Sequence, residues 1–183
     1  MVEAAASLAD EGGLEALSLS TLASKLGIRT PSLYNHIAGL EGLRRELALL
    51  GLRELGRRLG RATMGKTTDE ATFAMAWAYR DFVRERPGLY AATVRSSRLS
   101  YPEDPDFEAA EREAFEAVLA VLASYGLRGD EALHAARGFR STVHGFATLE
   151  VAGGFGIPLD LDESFDRLLH TFVAGLRDLE GTP

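Results

Sequence analysis

Cysteine is absent from this 183-residue chain, and it contains no run of about 18 apolar residues. The first absence excludes a disulfide framework, a thiol nucleophile and any cysteine-ligated metal site. The second indicates a protein without a membrane span, and the N-terminus shows no signal-peptide pattern. We therefore expect a cytoplasmic protein that forms one compact unit, or a small head on a larger body.

Catalytic and metal-binding patterns are also missing. The chain has no phosphate loop or nucleophile elbow, and its four histidines show no metal-ligand spacing. One arrangement could be taken for a nucleophile–base pair: Ser141 and His144 lie one turn apart on a predicted helix, with Glu150 two turns further on. A hydrolytic enzyme is therefore an alternative, but we expect no catalytic residue, no metal and no cofactor.

The net charge of −7 is unusual for a protein that binds nucleic acid, but it is distributed unevenly. Residues 1–65 carry eight Lys/Arg and seven Asp/Glu, a net charge of +1, and residues 66–183 carry twelve and twenty, a net charge of −8. The first part could approach a phosphate backbone, and the second would be repelled from it. A DNA-binding function must therefore be argued from the arrangement of residues.

The hydrophobic pattern predicts an all-α protein of about nine helices, because apolar residues recur at helical spacing and no stretch alternates like a strand. Ser18 is the expected cap of the second helix, Gly27 its stop, and Thr30 the cap of the third. A long fourth helix contains Gly51 and Gly56, which we expect to soften it. The helices are predicted at residues 2–10, 20–26, 31–36, 40–61, 70–85, 89–96, 105–125, 130–151 and 163–179.

The segment from Ser18 to Ile37 has the spacing of a helix-turn-helix. Ala23 is small where two helices would cross, and Gly27 can adopt the positive φ of the turn. The apolar residues expected to hold the two helices together are Leu22, Leu26, Ile28, Leu33 and Ile37. Thr30, Ser32, Asn35 and His36 are then left on the outside, with Tyr34 near the rim, and these side chains could reach bases or phosphates. A plain helical hairpin with a polar face is the alternative.

Residues 1–61 resemble the DNA-binding head of TetR-family regulators, through LASKLGIRTPSLYNHI followed by GLEGLRREL. The resemblance implies that Thr30, Ser32, Asn35 and His36 read the major groove and that Tyr34 contacts the DNA backbone. It also implies that Ser20 and Thr21 lie against a phosphate.

This chain departs from the family where many members have a lysine at the start of the fourth helix. Leu40 stands at that position, so that phosphate contact is missing or supplied by Arg44 or Arg45. Many members also carry a basic arm before the first helix, whereas this sequence begins at that helix.

The eighth and ninth predicted helices carry rows that either close the subunit core or pair with a second copy in a four-helix bundle. Small residues form one row on the eighth helix, and larger apolar residues repeat along the ninth. The TetR resemblance favours dimerisation, because the last two helices of that family usually dimerise. The residues predicted at the dimer interface are Gly138, Ser141, Gly145, Thr148, Phe165, Leu169, Phe172 and Leu176.

Aromatic residues in the second part could line a ligand cavity or simply fill the core. His144 lies in Val143-His144-Gly145, which resembles the Trp-His-Gly of one C-terminal subclass of the family without its tryptophan. The histidine is either a ligand contact or a structural residue. The residues predicted to bind a small hydrophobic ligand are Trp77, Tyr79, Phe82, Tyr90, Phe115, His144 and Phe146.

These observations predict a homodimeric regulator that binds a palindromic double-stranded DNA operator. Residues 1–65 would form the helix-turn-helix head, and residues 66–183 the body that dimerises and binds a ligand. We expect a repressor that a small molecule releases from DNA. A DNA-binding regulator controlled by a protein partner is the alternative.

Overall fold

The regular structure is helical throughout the part of the chain that the computed structural model describes, residues 1–96, 101 and 103–180 without the side chain of Glu180. This confirms the predicted all-α class. No helix in these ranges is both long and apolar enough to cross a membrane. The helices of these ranges are α1 (Val2–Gly12), α2 (Leu19–Leu26), α3 (Thr30–Leu33), α4 (Gly39–Thr63), α5 (Thr68–Glu85), α6 (Pro87–Arg95), α7 (Pro105–Ala123), α8 (Gly129–Val151) and α9 (Leu161–Glu180), with a 3₁₀ turn at Leu14–Ala16.

Helix α3 is shorter than the sequence predicts. It ends at Leu33, and the His36 amide donates to the Leu33 carbonyl at 2.9 Å, a three-residue turn that tightens the chain after the helix. Arg29 occupies the cap position and makes no side-chain capping hydrogen bond, so Thr30 is the first helical residue and the prediction that it caps the helix is wrong. Pro31 follows in the first turn, where the missing N–H costs nothing.

The chain divides into two compact units that are not continuous in sequence. Unit 1 comprises residues 1–55 and 85–112, and unit 2 comprises residues 56–84 and 113–183, of which 181–183 lie outside the described residues. The division does not coincide with the predicted boundary at residue 65, since α6 belongs with the N-terminal helices. The functional division into residues 1–65 and 66–183 stays a prediction.

Helices α1 and α6 meet closely within unit 1. Gly88 lies against the end of α1, where a Cβ would overlap the carbonyl of Ala9 and lie 2.5 Å from the nitrogen of Asp10. The Asp10 carboxylate accepts a hydrogen bond from the Leu89 amide at 2.9 Å and another from Arg86 at 2.7 Å. The start of α6 is thereby held to the end of α1 through backbone contact and the half-buried carboxylate of Asp10.

The glycines of α4 mark close helix contacts in each unit. In unit 1 a Cβ at Gly51 would lie 2.5 Å from Thr93 on α6. In unit 2 a Cβ at Gly56 would lie 3.3 Å from the backbone of Ala114 on α7. Packing therefore explains their small size, and the softening of α4 by these glycines stays a prediction.

A bidentate ion pair joins α4 to the start of α7 in unit 1. The Arg45 guanidinium donates to both oxygens of Asp104, through Nε and, at 2.9 Å, through Nη2. Asp104 also caps α7 by accepting from the Phe107 amide at 3.1 Å. The hydrogen bond from Arg45 outweighs desolvation and lowers the pKa of the Asp104 carboxyl below its usual range.

The lowered pKa of Asp104 makes part of the stability dependent on pH. The unfolded chain binds a proton at Asp104 more readily than the folded one, so the contribution is complete above about pH 4 and is lost as the pH falls through the folded-state pKa. We expect Asp104→Asn to lower the urea midpoint at about pH 7 and to approach the wild-type midpoint only as the pH falls through the lowered, folded-state pKa of Asp104.

The matched control for this prediction is Asp106→Asn. Asp106 lies 3.6 Å from the same arginine, but its side chain is mostly exposed. We expect that variant to change the midpoint little at either pH, because exposed ion pairs contribute little. A midpoint difference between Asp104→Asn and wild type that does not vary with pH would contradict the linkage.

Unit 2 is built around α5, whose side chains are buried on several faces as its composition predicts. Its fully buried residues include Ala71, Met75, Ala76 and Phe82. The Tyr125 hydroxyl, which follows α7, lies 2.9 Å from Asp69 and 3.0 Å from Thr72 on α5. The inner faces of α7, α8 and α9 supply further core residues, among them Val118, Val121, Leu122, Phe139, Val143, Phe165, Leu169, Val173 and Leu176.

Candidate functional site

The helix-turn-helix segment is organised by local capping and by one glycine. The Ser18 hydroxyl accepts from the Thr21 amide at 3.1 Å, and Thr21 Oγ1 accepts from the Ser18 amide at 3.0 Å, which completes a capping box. Gly27 ends α2 with φ of +67°, as its position predicts. These two features set where α2 begins and where the chain turns into α3.

Apolar contacts then fix the two helices of the segment. Leu22, Ala23, Leu33 and Ile37 are buried, as expected of residues that hold the helices together. Ile28 is 42% exposed, so the prediction that it belongs to this core is wrong. It lies in the turn directly after Gly27, where its side chain is left at the surface.

The side chains predicted to contact DNA lie at the surface of unit 1. Tyr34 is 61% exposed, and Thr30, at the start of α3, is half-buried. The Thr21 hydroxyl donates to the Ser18 carbonyl at 2.9 Å, so its proton is already used within the cap. The remaining predicted residues are all exposed: Ser20, Ser32, Asn35 and His36.

The arginines considered as substitutes for the missing lysine of α4 are both in ion pairs. Arg44 pairs with Glu41 at 2.6 Å on the surface of the helix. Arg45 is held by Asp104 and lies 2.5 Å from Glu46. Arg45 is therefore not available for a phosphate, which corrects that expectation, whereas Arg44 needs only to leave a weak exposed pair.

The predicted dimer residues fall into two groups. Phe165, Leu169 and Leu176 are at most 2% exposed within the single subunit, so they belong to its core and the interface prediction is wrong for these three. Gly138 also faces its own subunit, because a Cβ there would lie 3.4 Å from the half-buried ring of Phe172 on α9. The spacing of apolar residues in α9 predicted which face is apolar, but not whether that face packs inside its own subunit or against a second copy.

The other small residues of α8 lie on a different face. Ser141 is exposed, and Gly145 and Thr148 are half-buried. A Cβ at Gly145 would meet nothing within 4 Å. Among the described residues, the surface at Gly145 therefore has room for another helix.

The residues predicted to bind a ligand are divided between the two units. Tyr90 is buried in unit 1, while the other six lie in unit 2. Phe115 is 41% exposed on α7. Burial, followed by the charge of Arg140, lowers the pKa of His144. The other four predicted residues are half-buried or buried: Trp77, Tyr79, Phe82 and Phe146.

Sequence reasoning missed Arg80, which is fully buried on α5. Its guanidinium carbon lies 5.0 Å from the ring centre of Trp77, 5.4 Å from that of Phe146 and 5.0 Å from that of Phe165. The signal was present in FAMAWAYRDF, where a single arginine interrupts an apolar helix. Such a residue must be paired when it is buried.

The partners of Arg80 come from α8 and α9. Its Nε and Nη2 donate to Glu150 at 2.7 and 2.8 Å, and Nη1 lies 2.8 Å from Asp162. Burial lowers the pKa of Arg80, but Glu150 and Asp162 outweigh it and leave the pKa raised. Because Glu150 is bonded to Arg80, the arrangement of Ser141, His144 and Glu150 does not present a free carboxylate to orient a catalytic histidine.

A surface groove of about 530 Å³ lies between α5 and α9 in unit 2. None of its lining residues was predicted to bind a ligand. No group of side chains suited to a metal ion occurs among the described residues. The residues that line the groove are Asp69, Glu70, Phe73, His170, Val173, Ala174 and Arg177.

Comparison with known proteins places the chain among helix-turn-helix regulators. Residues 72–172 match the family described as tetracyclin repressor-like, C-terminal domain. An uncharacterized HTH-type transcriptional regulator of Mycobacterium tuberculosis is 38% identical over 96% of this chain and 79% of its own length. One of Bacillus subtilis is 37% identical over 96% of this chain and 90% of its own length.

A solved structure shares the fold. A variant of TetR from Acinetobacter baumannii AYE, in complex with minocycline, matches with a TM-score of 0.73 at 22% identity, over 99% of this chain and 96% of that one. The family match covers more than half of the chain, and both regulators exceed 30% identity over nearly all of it. This chain therefore belongs to the TetR family of transcriptional regulators.

Proposed function

We propose that this chain is a repressor that binds a palindromic DNA operator as a homodimer and leaves it when a small molecule binds. Residues 1–65 would read the DNA in the cytoplasm, and residues 66–183 would dimerise and hold the ligand. The observation that carries the DNA-binding part is the exposed polar set of Ser32, Tyr34, Asn35 and His36. These side chains lie in α3 or directly after it, in a segment anchored by buried Leu33 and Ile37.

The regulatory part of the proposal is supported by the acidic body and by the minocycline bound to the A. baumannii protein. A ligand changes DNA affinity only if it binds the two conformational states unequally.

Control by a protein partner is the second candidate, favoured by the exposed apolar residues Ile157 and Leu159 between α8 and α9. A thermal-stability screen with small hydrophobic compounds separates the two, because a ligand raises the stability of the folded state by mass action.

The DNA contacts can be tested on an operator selected from random duplex DNA. We expect Asn35→Ala and Thr30→Ala each to cost about 1–3 kcal/mol at one base pair and to relax preference there. Tyr34→Phe should weaken binding to all sequences about equally, since phosphate contacts carry no sequence information. Ser24→Ala, at an exposed position of α2, is the control and should change neither property. Unchanged sequence preference in both alanine variants would refute the placement of the recognition helix.

The dimer can be tested at Gly145. A two-fold dimer would place two recognition helices about 34–36 Å apart on one face of the DNA, so assembly and operator symmetry are linked. We expect Gly145→Leu to shift the protein towards monomer, because a large side chain would enter a surface on which helices approach closely. Gly60→Leu, at an exposed position of α4 with open space around it, is the matched control. Sedimentation at micromolar concentration measures both, and a wild-type monomer would contradict the proposal.

A further inference from the structure

The Arg80 cluster of unit 2 contains one buried hydrogen-bonding atom that its neighbours do not satisfy. Nε and Nη2 are paired with Glu150, but Nη1 is buried and has no hydrogen-bond partner among the described residues. Asp162 lies 2.8 Å from Nη1 and forms an ion pair without the geometry of a hydrogen bond. Nη1 therefore depends on one imperfectly aligned carboxylate oxygen, and an acceptor aligned with its N–H bonds would bind there more strongly than Asp162 does.

Asp162 can leave this position easily. Its side chain is 67% exposed in the first turn of α9, whereas that of Glu150 is 11% exposed. An exposed carboxylate regains its hydration when it turns towards water, so its displacement is opposed mainly by the loss of its ion pair with Nη1. Arg80 itself cannot follow, because three aromatic rings and Glu150 hold its guanidinium.

An apolar surface continues from the cluster towards solvent. The ring centre of Phe146, which contacts the guanidinium, lies 4.8 Å from that of Phe155 in the loop between α8 and α9. Phe155 is 36% exposed, and Ile157 and Leu159 in the same loop are 73% and 68% exposed. This loop leads directly into the turn that carries Asp162.

We propose that Arg80 Nη1 is the anion-binding position of a ligand site, which Asp162 occupies in the unliganded protein and which a monocarboxylate with an apolar body takes over. The carboxylate would accept from Nη1, and the apolar body would lie along Phe155, Ile157 and Leu159. A phosphate dianion fits less well, because Glu150 would repel its second charge. This inference rests on the proposed ligand-released regulator and names the chemical class of its ligand.

The test compares octanoate with octanamide, which has the same shape and no charge, by calorimetry on the full chain without DNA. We expect the wild-type protein to bind octanoate more tightly than octanamide. Asp162→Asn should tighten octanoate binding about tenfold, because a competing negative charge is removed, and should leave octanamide unchanged. Glu163→Gln removes a neighbouring exposed carboxylate, which pairs with Arg167, and is the matched control expected to behave as wild type.

The inference would be overturned if the Asp162→Asn variant bound octanoate and octanamide equally tightly. It would also be overturned if Glu163→Gln increased the affinity for octanoate as much as Asp162→Asn does. If Asp162 acted only as a structural clamp, its replacement would lower stability without improving carboxylate binding. Release of selected operator DNA is measured separately, by fluorescence anisotropy. If neutral compounds release the protein from DNA and no carboxylate binds, the proposed anion-binding position is wrong and the proposed function still holds. Carboxylate binding without release supports the site and contradicts the proposed function.

Discussion

Replacing Glu150 by glutamine is expected to lower the free energy of unfolding by about 3 kcal/mol. The substitution keeps the shape of the side chain but removes the charge that compensates Arg80, which is fully buried. It also turns an amide group, itself a donor, towards the donors of the guanidinium. Asp162 remains as a partner, but it is exposed and meets only Nη1. Urea unfolding of the purified chain measures the effect.

Two further variants make this prediction specific. Glu163→Gln removes a carboxylate of the same chemistry from an exposed pair with Arg167, and should cost no more than about 0.5 kcal/mol. The double variant Arg80→Met, Glu150→Leu removes both buried charges and should be more stable than Glu150→Gln alone. A cost for Glu150→Gln as small as that for Glu163→Gln would show that the ion pair is not what holds α5 to α8.

Replacing Gly88 by alanine is expected to destabilise the protein by about 3 kcal/mol, because the new Cβ would overlap the carbonyl of Ala9. The obstacle is backbone, which cannot rotate aside as a flexible side chain can. Helix α6 would have to move away from α1, and this would lengthen the hydrogen bond between the Leu89 amide and Asp10. The free energy of unfolding in urea again measures the effect.

The control is Gly60→Ala in α4. Gly60 is an exposed helical glycine with open space around an added Cβ, and alanine there should stabilise the protein by about 0.5–1 kcal/mol. Opposite signs for the two substitutions would separate steric overlap from helix propensity. A stabilising Gly88→Ala would contradict the close contact between α1 and α6.

The local features of the fold, which are its helices, caps and turns, could be predicted from the sequence. The positions of the helices, the Ser18 cap and the Gly27 turn all follow from interactions within a few residues, and the structure contains each of them. The exceptions lie at α3, where the chain tightens after Leu33, and at Ile28, whose burial depends on the exact path of the turn. The family was identifiable for the same reason, because its motif is a continuous stretch of sequence.

Which distant residues each side chain contacts was decided only by the tertiary structure. The periodicity of α9 predicted one apolar face, but core and interface faces have the same spacing, and packing placed Phe165, Leu169 and Leu176 in the core. Arg45 is paired with a residue 59 positions away, and Arg80 with one 70 positions away. Sequence alone determined where helices form because the forces are local, whereas the contacts of a buried charge depend on which distant helices pack beside it.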